Sequence, residues 1–155
     1  MNKIPNKPSA GKTGREEAKK VMAEIQSLVP SIVKQKPNSK VKIYPNNYSH
    51  KQEGVNLEID NHTLVCQSAP DTDVEHFLSL AIYDLRFDPK LNMALDEKGT
   101  PMNSFSNDRM KKHEQYGWIY DKNDKLTWTD LNNKKNSYTS DEIVKNWVTE
   151  LVKSI

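Results

Sequence analysis

The sequence predicts an α+β domain: an antiparallel sheet of about five strands with helices packed on it, in the order α-β-β-β-α-(α)-β-β-α. Three observations predict it. Apolar residues recur at helical spacing over 14–29, 70–88 and 139–155. Short β-prone runs bounded by turn residues fill 41–44, 55–67 and 117–129. A chain of 155 residues is the length of one domain with a core of its own.

Residues 1–12 hold Lys3, Lys7 and Lys12 with no acid, together with Pro5, Pro8 and Gly11. So little apolar surface does not offset the entropy of ordering, so a flexible basic tail is expected there and a single domain over 13–155. Gly11-Lys12-Thr13 matches the end of a phosphate-binding loop, but Asn6 stands where the first glycine is needed and no strand precedes it. Thr13 reads instead as the cap of a capping box with Glu16, opening a helix from about Gly14 to Val29. Ala18, Val21, Met22, Ile25, Leu28 and Val29 form its apolar face. Pro30 ends the regular run, with Ile32 and Val33 still available to the core.

Val41 and Ile43 alternate with Lys40, Lys42 and Tyr44, as in a half-buried strand closed by Pro45-Asn46-Asn47. Residues 55–67 read as a hairpin turning at Asp60-Asn61, two residues that tolerate positive φ. That turn sets Ile59 against His62, Leu57 against Leu64 and Val55 against Cys66.

Val74, Phe77, Leu78, Ala81, Ile82 and Leu85 then make the widest apolar stripe at helical spacing. With a Thr72/Glu75 capping box before it and Pro89 after it, 70–88 is the expected central helix. Residues 89–98 fit either a short helix through Leu91–Leu95 or a short strand at Asn92–Leu95 turning at Asp96–Gly99. A basic helix is expected over Asp108–Tyr116 with Ser106 as its cap. A second hairpin follows, Gly117–Tyr120 with Leu126–Thr129, whose register the sequence leaves open. Thr139 and Glu142 form a third capping box before the C-terminal helix. Its apolar side is Ile143, Val144, Trp147, Val148, Leu151, Val152 and Ile155.

Chemistry is less marked than fold. One cysteine, Cys66, excludes internal disulfides and cysteine-rich zinc sites; it falls on the face assigned to the core, where a thiol is an inert small hydrophobe. The four histidines, His50, His62, His76 and His113, show no metal-binding spacing, and 5 glycines leave little material for a substrate-cradling loop. No metal or cofactor is therefore expected. Asp71 and Asp73, two apart, match the aspartate pair of haloacid-dehalogenase-like phosphatases, which would imply a metal-dependent hydrolase. Here Gln67-Ser68-Ala69-Pro70 separates them from the preceding strand, and acids at a helix start also favour its dipole. The net charge of +2 neither requires nor forbids an anionic partner. No run approaches the length of a membrane span, and the N-terminus lacks the apolar stretch of a secretory signal, so a cytoplasmic protein with no membrane partner is expected.

The α-β-β-β-α order of the first half resembles the double-stranded-RNA-binding domain. Asp-Thr-Asp-Val-Glu, however, stands where that family's phosphate-binding lysines are wanted. The full order, over about 14–155, looks like that of the small dimeric chaperones for type III secretion effectors, which implies a protein partner and a homodimer. The reading that follows is a non-catalytic protein-binding module: an inhibitor, adaptor, immunity or chaperone-like factor, presenting Trp118, Tyr120 and Trp128 to its partner. The alternative is a nucleic-acid-associated protein using Lys3, Lys7, Lys12, Arg109, Lys111, Lys112, Lys134 and Lys135. A hydrolase using Asp71 and Asp73 is the second alternative.

Overall fold

A computed structural model describes residues 10–46, 53–70, 76–91, 93–102 and 109–155. Helix α1 (Ala10–Ser27) bends at Leu28 into α2 (Val29–Gln35). Pro30 has no N–H to continue the α1 ladder, which accounts for the bend. Strands β1 (Val41–Pro45), β2 (Glu53–Ile59), β3 (His62–Ala69) and β4 (Phe77–Tyr83) follow as a meander. A small hairpin of β5 (Arg86–Phe87) and β6 (Ala94–Leu95) interrupts it. The sheet resumes with β7 (Met110–Tyr120), β8 (Leu126–Asp130) and β9 (Ser137–Tyr138), and α3 (Ser140–Lys153) closes the chain. The seven-stranded sheet runs β1-β2-β3-β4-β7-β8-β9, antiparallel throughout.

All three helices lie on one face. Val55, Leu57, Leu64, Leu78, Leu80 and Ile82 alternate inward from the strands to meet Ala18, Val21 and Ile25 of α1 and Ile143, Trp147 and Leu151 of α3. The opposite face is covered at one end, where Leu85, Phe87 and Ala94 pack on Val65, Tyr44 and Tyr83. Buried Glu58 lies beside this second cluster and accepts the Phe87 N–H at 3.3 Å; burial there pushes its carboxyl above the ordinary range. At the β2 start the Asn46 amide donates to Asn56 Oδ1 and to the Cys66 carbonyl. Only glycine fits opposite, since a Cβ on Gly54 would come 1.8 Å from Asn46 Oδ1.

The Asp60-Asn61 hairpin forms as expected: Ile59 pairs with His62, Leu57 with Leu64 and Val55 with Cys66, with Asp60 at φ 53°. The Thr139/Glu142 capping box is present in full, with Glu142 N–H on the Thr139 hydroxyl at 3.2 Å and Thr139 N–H on the Glu142 carboxylate at 3.0 Å.

Three expectations are corrected and one open alternative is resolved. The central helix is not formed: Phe77–Tyr83 is β4, paired on both sides by β3 and β7. Its apolar side chains are buried on both faces, and a run of that kind, broken only by Ser79, satisfies helical and strand periods alike. The basic helix over 108–116 is likewise absent where described. Met110–Tyr120 is one long strand, because the edge that β4 offers it supplies a ladder a short isolated helix lacks. Residues 94–95 take the strand alternative, with Gly99 at φ +84° in the turn after them. Finally, α1 begins at Ala10, inside the expected tail, and Thr13 lies within it rather than capping it.

The sheet therefore has seven strands rather than about five, and the order that resembled RNA-binding domains and secretion chaperones is replaced. The Thr72/Glu75 pair, Asp71, Asp73, Ser106, His50 and the tail lysines Lys3 and Lys7 lie outside the described residues, as does the side chain of Lys12.

Candidate functional site

Two rows of apolar residues run down α3. Ile143, Trp147 and Leu151 turn into the core, while Val144, Val148 and Val152, one position on, turn toward α1 and α2. Between that second row and Leu28 and Ile32 at the bend lies a groove of about 560 Å³. Ser27, Ser31, Gln35 and Thr149 form its polar shoulders. Val33 on α2 and Ile155 after α3 add exposed apolar surface on the same two elements, at 46% and 37% exposure.

The groove is charged at its ends. Glu24 of α1 and Asp141 in the first turn of α3 both line it, near enough for the Asp141 carboxyl to act on Glu24. Partial burial, and then the Asp141 carboxyl, push Glu24 above its ordinary range; Lys20 offsets this in part. Lys153 lines the groove in the last turn of α3, and Lys145 stands one turn from Asp141.

The residues expected to meet a partner are placed differently. Trp128 is fully buried and Trp118 is 6% exposed, with ring centroids 4.9 Å apart. Both indole N–H groups are satisfied inside: Trp128 donates to Ser140 Oγ at 3.0 Å and Trp118 to the Thr13 hydroxyl at 3.0 Å. They fasten α3 and α1 to the sheet. Tyr120, at the end of β7, is half-buried.

The basic residues are spread out. Lys112 sits over the Trp147 ring at 4.5 Å, Lys111 pairs with Asp84 at 3.5 Å and Arg109 lies 3.8 Å from Glu97. Lys134 and Lys135 are exposed on the separate turn between β8 and β9.

Three further groups bear on chemistry. His62 Nδ1 is 2.7 Å from Asp84 Oδ1, beside a cavity of about 260 Å³ that also holds Arg86, Asp96, Glu97 and Arg109. Among the described residues this acid–base pair's cavity is lined by no hydroxyl or thiol. Ser79 Oγ lies 3.2 Å from His113 Nε2 on the open sheet face, with no carboxylate bonded to that ring among the described residues. Cys66 is fully buried, and burial pushes its thiol up to about 12. Among the described residues no three histidine, cysteine or acidic side chains gather to hold a metal, and no helix is long and apolar enough to cross a membrane.

No family model, curated protein or solved structure matches this chain. The groove thus rests on its own geometry. Its α3 wall was visible in the sequence: a helix that needs one apolar row to cover a sheet carries two. The facing wall was not, because it depends on the bend at Leu28.

Proposed function

We propose that this protein is a non-catalytic binding module that takes an apolar segment of another protein into the groove between α1–α2 and α3. The observation that carries the proposal is the second apolar row of α3. Val144, Val148 and Ile32 form the buried floor of the groove, and Leu28 and Val152, only partly covered, leave its apolar lining open above them. A contiguous apolar recess with a polar rim is the anatomy of a protein-binding surface. An inhibitor, adaptor, immunity or chaperone-like role all use such a surface, and the reading needs no metal or cofactor.

The test is site-specific. A photo-crosslinker replacing exposed Thr149 is compared, in native lysate, with one replacing Lys122 in the β7–β8 turn. The expected result is a protein adduct at 149 and none at 122. That protein, once purified, should bind wild type and not Thr149→Trp, whose indole fills the groove. Equal labelling at both positions, or unimpaired binding by folded Thr149→Trp, overturns the proposal. Capture through nucleic acid would instead vanish with nuclease and fall steeply with salt, and that outcome also overturns it.

A further inference from the structure

Building on that reading, we propose that the segment taken up is an amphipathic helix of about three turns carrying a lysine or arginine at the end that lies over Glu24 and Asp141. Shape gives the helix. The groove walls are themselves helices, and the ridges of a third helix seat in a valley of this kind. Asp141 and Lys153 mark its two ends along α3, roughly 18 Å apart at about 1.5 Å per residue, which is three turns or a little more.

Charge gives the basic residue and its place. Glu24 and Asp141 come from different helices yet face each other, and among the described residues neither is held in an ion pair. Two like charges meeting at the mouth of an apolar recess repel each other. A guanidinium or ammonium set between them replaces that repulsion with two charge-assisted hydrogen bonds. At the far end Lys153 repels a basic residue, so the occupant is oriented as well as held.

The probes are synthetic helical peptides of about fourteen residues, sharing one row of leucines at helical spacing. One carries arginine in the first turn, one carries it in the last turn, and one carries glutamine at both places. Fluorescence anisotropy against the full chain should show one arginine peptide binding about tenfold more tightly than the glutamine peptide at low salt. Glu24→Gln/Asp141→Asn should erase that advantage and leave the glutamine peptide unaffected; this variant removes a repulsion and so keeps the fold. Thr149→Trp should abolish binding of all three.

If every peptide binds equally and Thr149→Trp still abolishes binding, the basic residue is refuted and the groove reading stands. If no peptide binds and position 149 also fails to crosslink, both fall. If the chain self-associates in light scattering, and Thr149→Trp or Leu91→Asp restores the monomer, the occupant is a second copy presenting exposed Lys90-Leu91, and the inference is overturned.

Discussion

Trp147 Nε1 donates to the Tyr116 hydroxyl at 3.0 Å, and that hydroxyl donates in turn to the Glu114 carboxylate. The relay ties α3 to β7 through the helix–sheet core. Lys112 covers the Trp147 ring, and the Tyr138 ring meets Tyr116 edge-on. Burial, with the neighbouring Glu114, holds the Tyr116 phenol far above its ordinary range, so it stays a donor at any physiological pH. Tyr116→Phe leaves the Trp147 N–H buried without its acceptor and should cost about 1–3 kcal/mol. In a double-mutant cycle read by urea denaturation, Trp147→Phe should cost less in the Tyr116→Phe background than in wild type. Additive effects would show that the two groups act independently.

Gly14 lies where α1 packs tightly against Trp118 of β7. A Cβ there would meet His76 Cβ at 2.6 Å and the Trp118 side chain at 3.1 Å. Alanine is the better helix former by about 1 kcal/mol, so an exposed helical glycine replaced by alanine gains stability. Here the overlap wins: Gly14→Ala should lose about 1–3 kcal/mol and lower the Tm. A raised Tm would mean that α1 shifts outward without cost.

His76 supplies a pH dependence. It is 4% exposed, Nε2 has no hydrogen-bond partner among the described residues, and burial pulls its pKa below the ordinary value of about 6.5. The charged groups acting on it oppose each other, Glu53 of β2 raising the value and Arg15 of α1 lowering it. A depressed histidine leaves stability untouched above the unfolded-state value. Below about 6.5 the unfolded chain takes up a proton that the folded chain refuses, so stability falls until the folded value is reached. The slope from this one group is at most about 1.4 kcal/mol per pH unit. Denaturation of wild type and His76→Leu from about pH 8 to 5 isolates it: the difference between the two should be flat above about 6.5 and turn against wild type below it. A difference independent of pH would place the imidazole in water.

Cys66 should be silent in the folded protein. Its thiol sits on the helix-facing side of β3 opposite Val55 and is fully buried. Ellman's reagent at about pH 8 should therefore leave it unmodified until urea unfolds the chain. Rapid labelling under native conditions would show that β2 and β3 open locally.

Legibility followed how many faces of an element are buried. The β2–β3 hairpin could be read to the residue, because Asp60-Asn61 fixed the turn and apolar residues alternated on either side of it. In β4, Leu78, Leu80 and Ile82 face the helices while Ala81 is buried on the other side, so the run is apolar except at Ser79. Alternation, the one signal that separates strand from helix over seven residues, is erased there. In β7 the pattern failed for the opposite reason. Lys112 and Glu114 occupy helix-facing positions made tolerable by the Trp147 ring and the Tyr116 hydroxyl, partners contributed by distant parts of the chain or fixed only once the strand exists.

The same contrast governs the candidate site. Trp118 and Trp128 stood out as residue types that bind partners, but an indole whose N–H finds an internal oxygen is as well suited to a core. The groove is made of ordinary valines, a leucine and an isoleucine, and its written sign was the second apolar row on α3.

The excursion between β4 and β7 leaves and returns at one point, where the Asp84 N–H meets the Arg109 carbonyl at 2.8 Å. Every other neighbour in the seven-stranded sheet is also the next strand in sequence. The β5–β6 hairpin is therefore a cassette spliced into a simple zigzag. Exchanging it for a tight turn would leave each strand's register intact, while uncovering Val65 and Tyr44 on the back of the sheet. Two properties that most folds entangle, strand order and the dressing of one sheet face, are here under separate control.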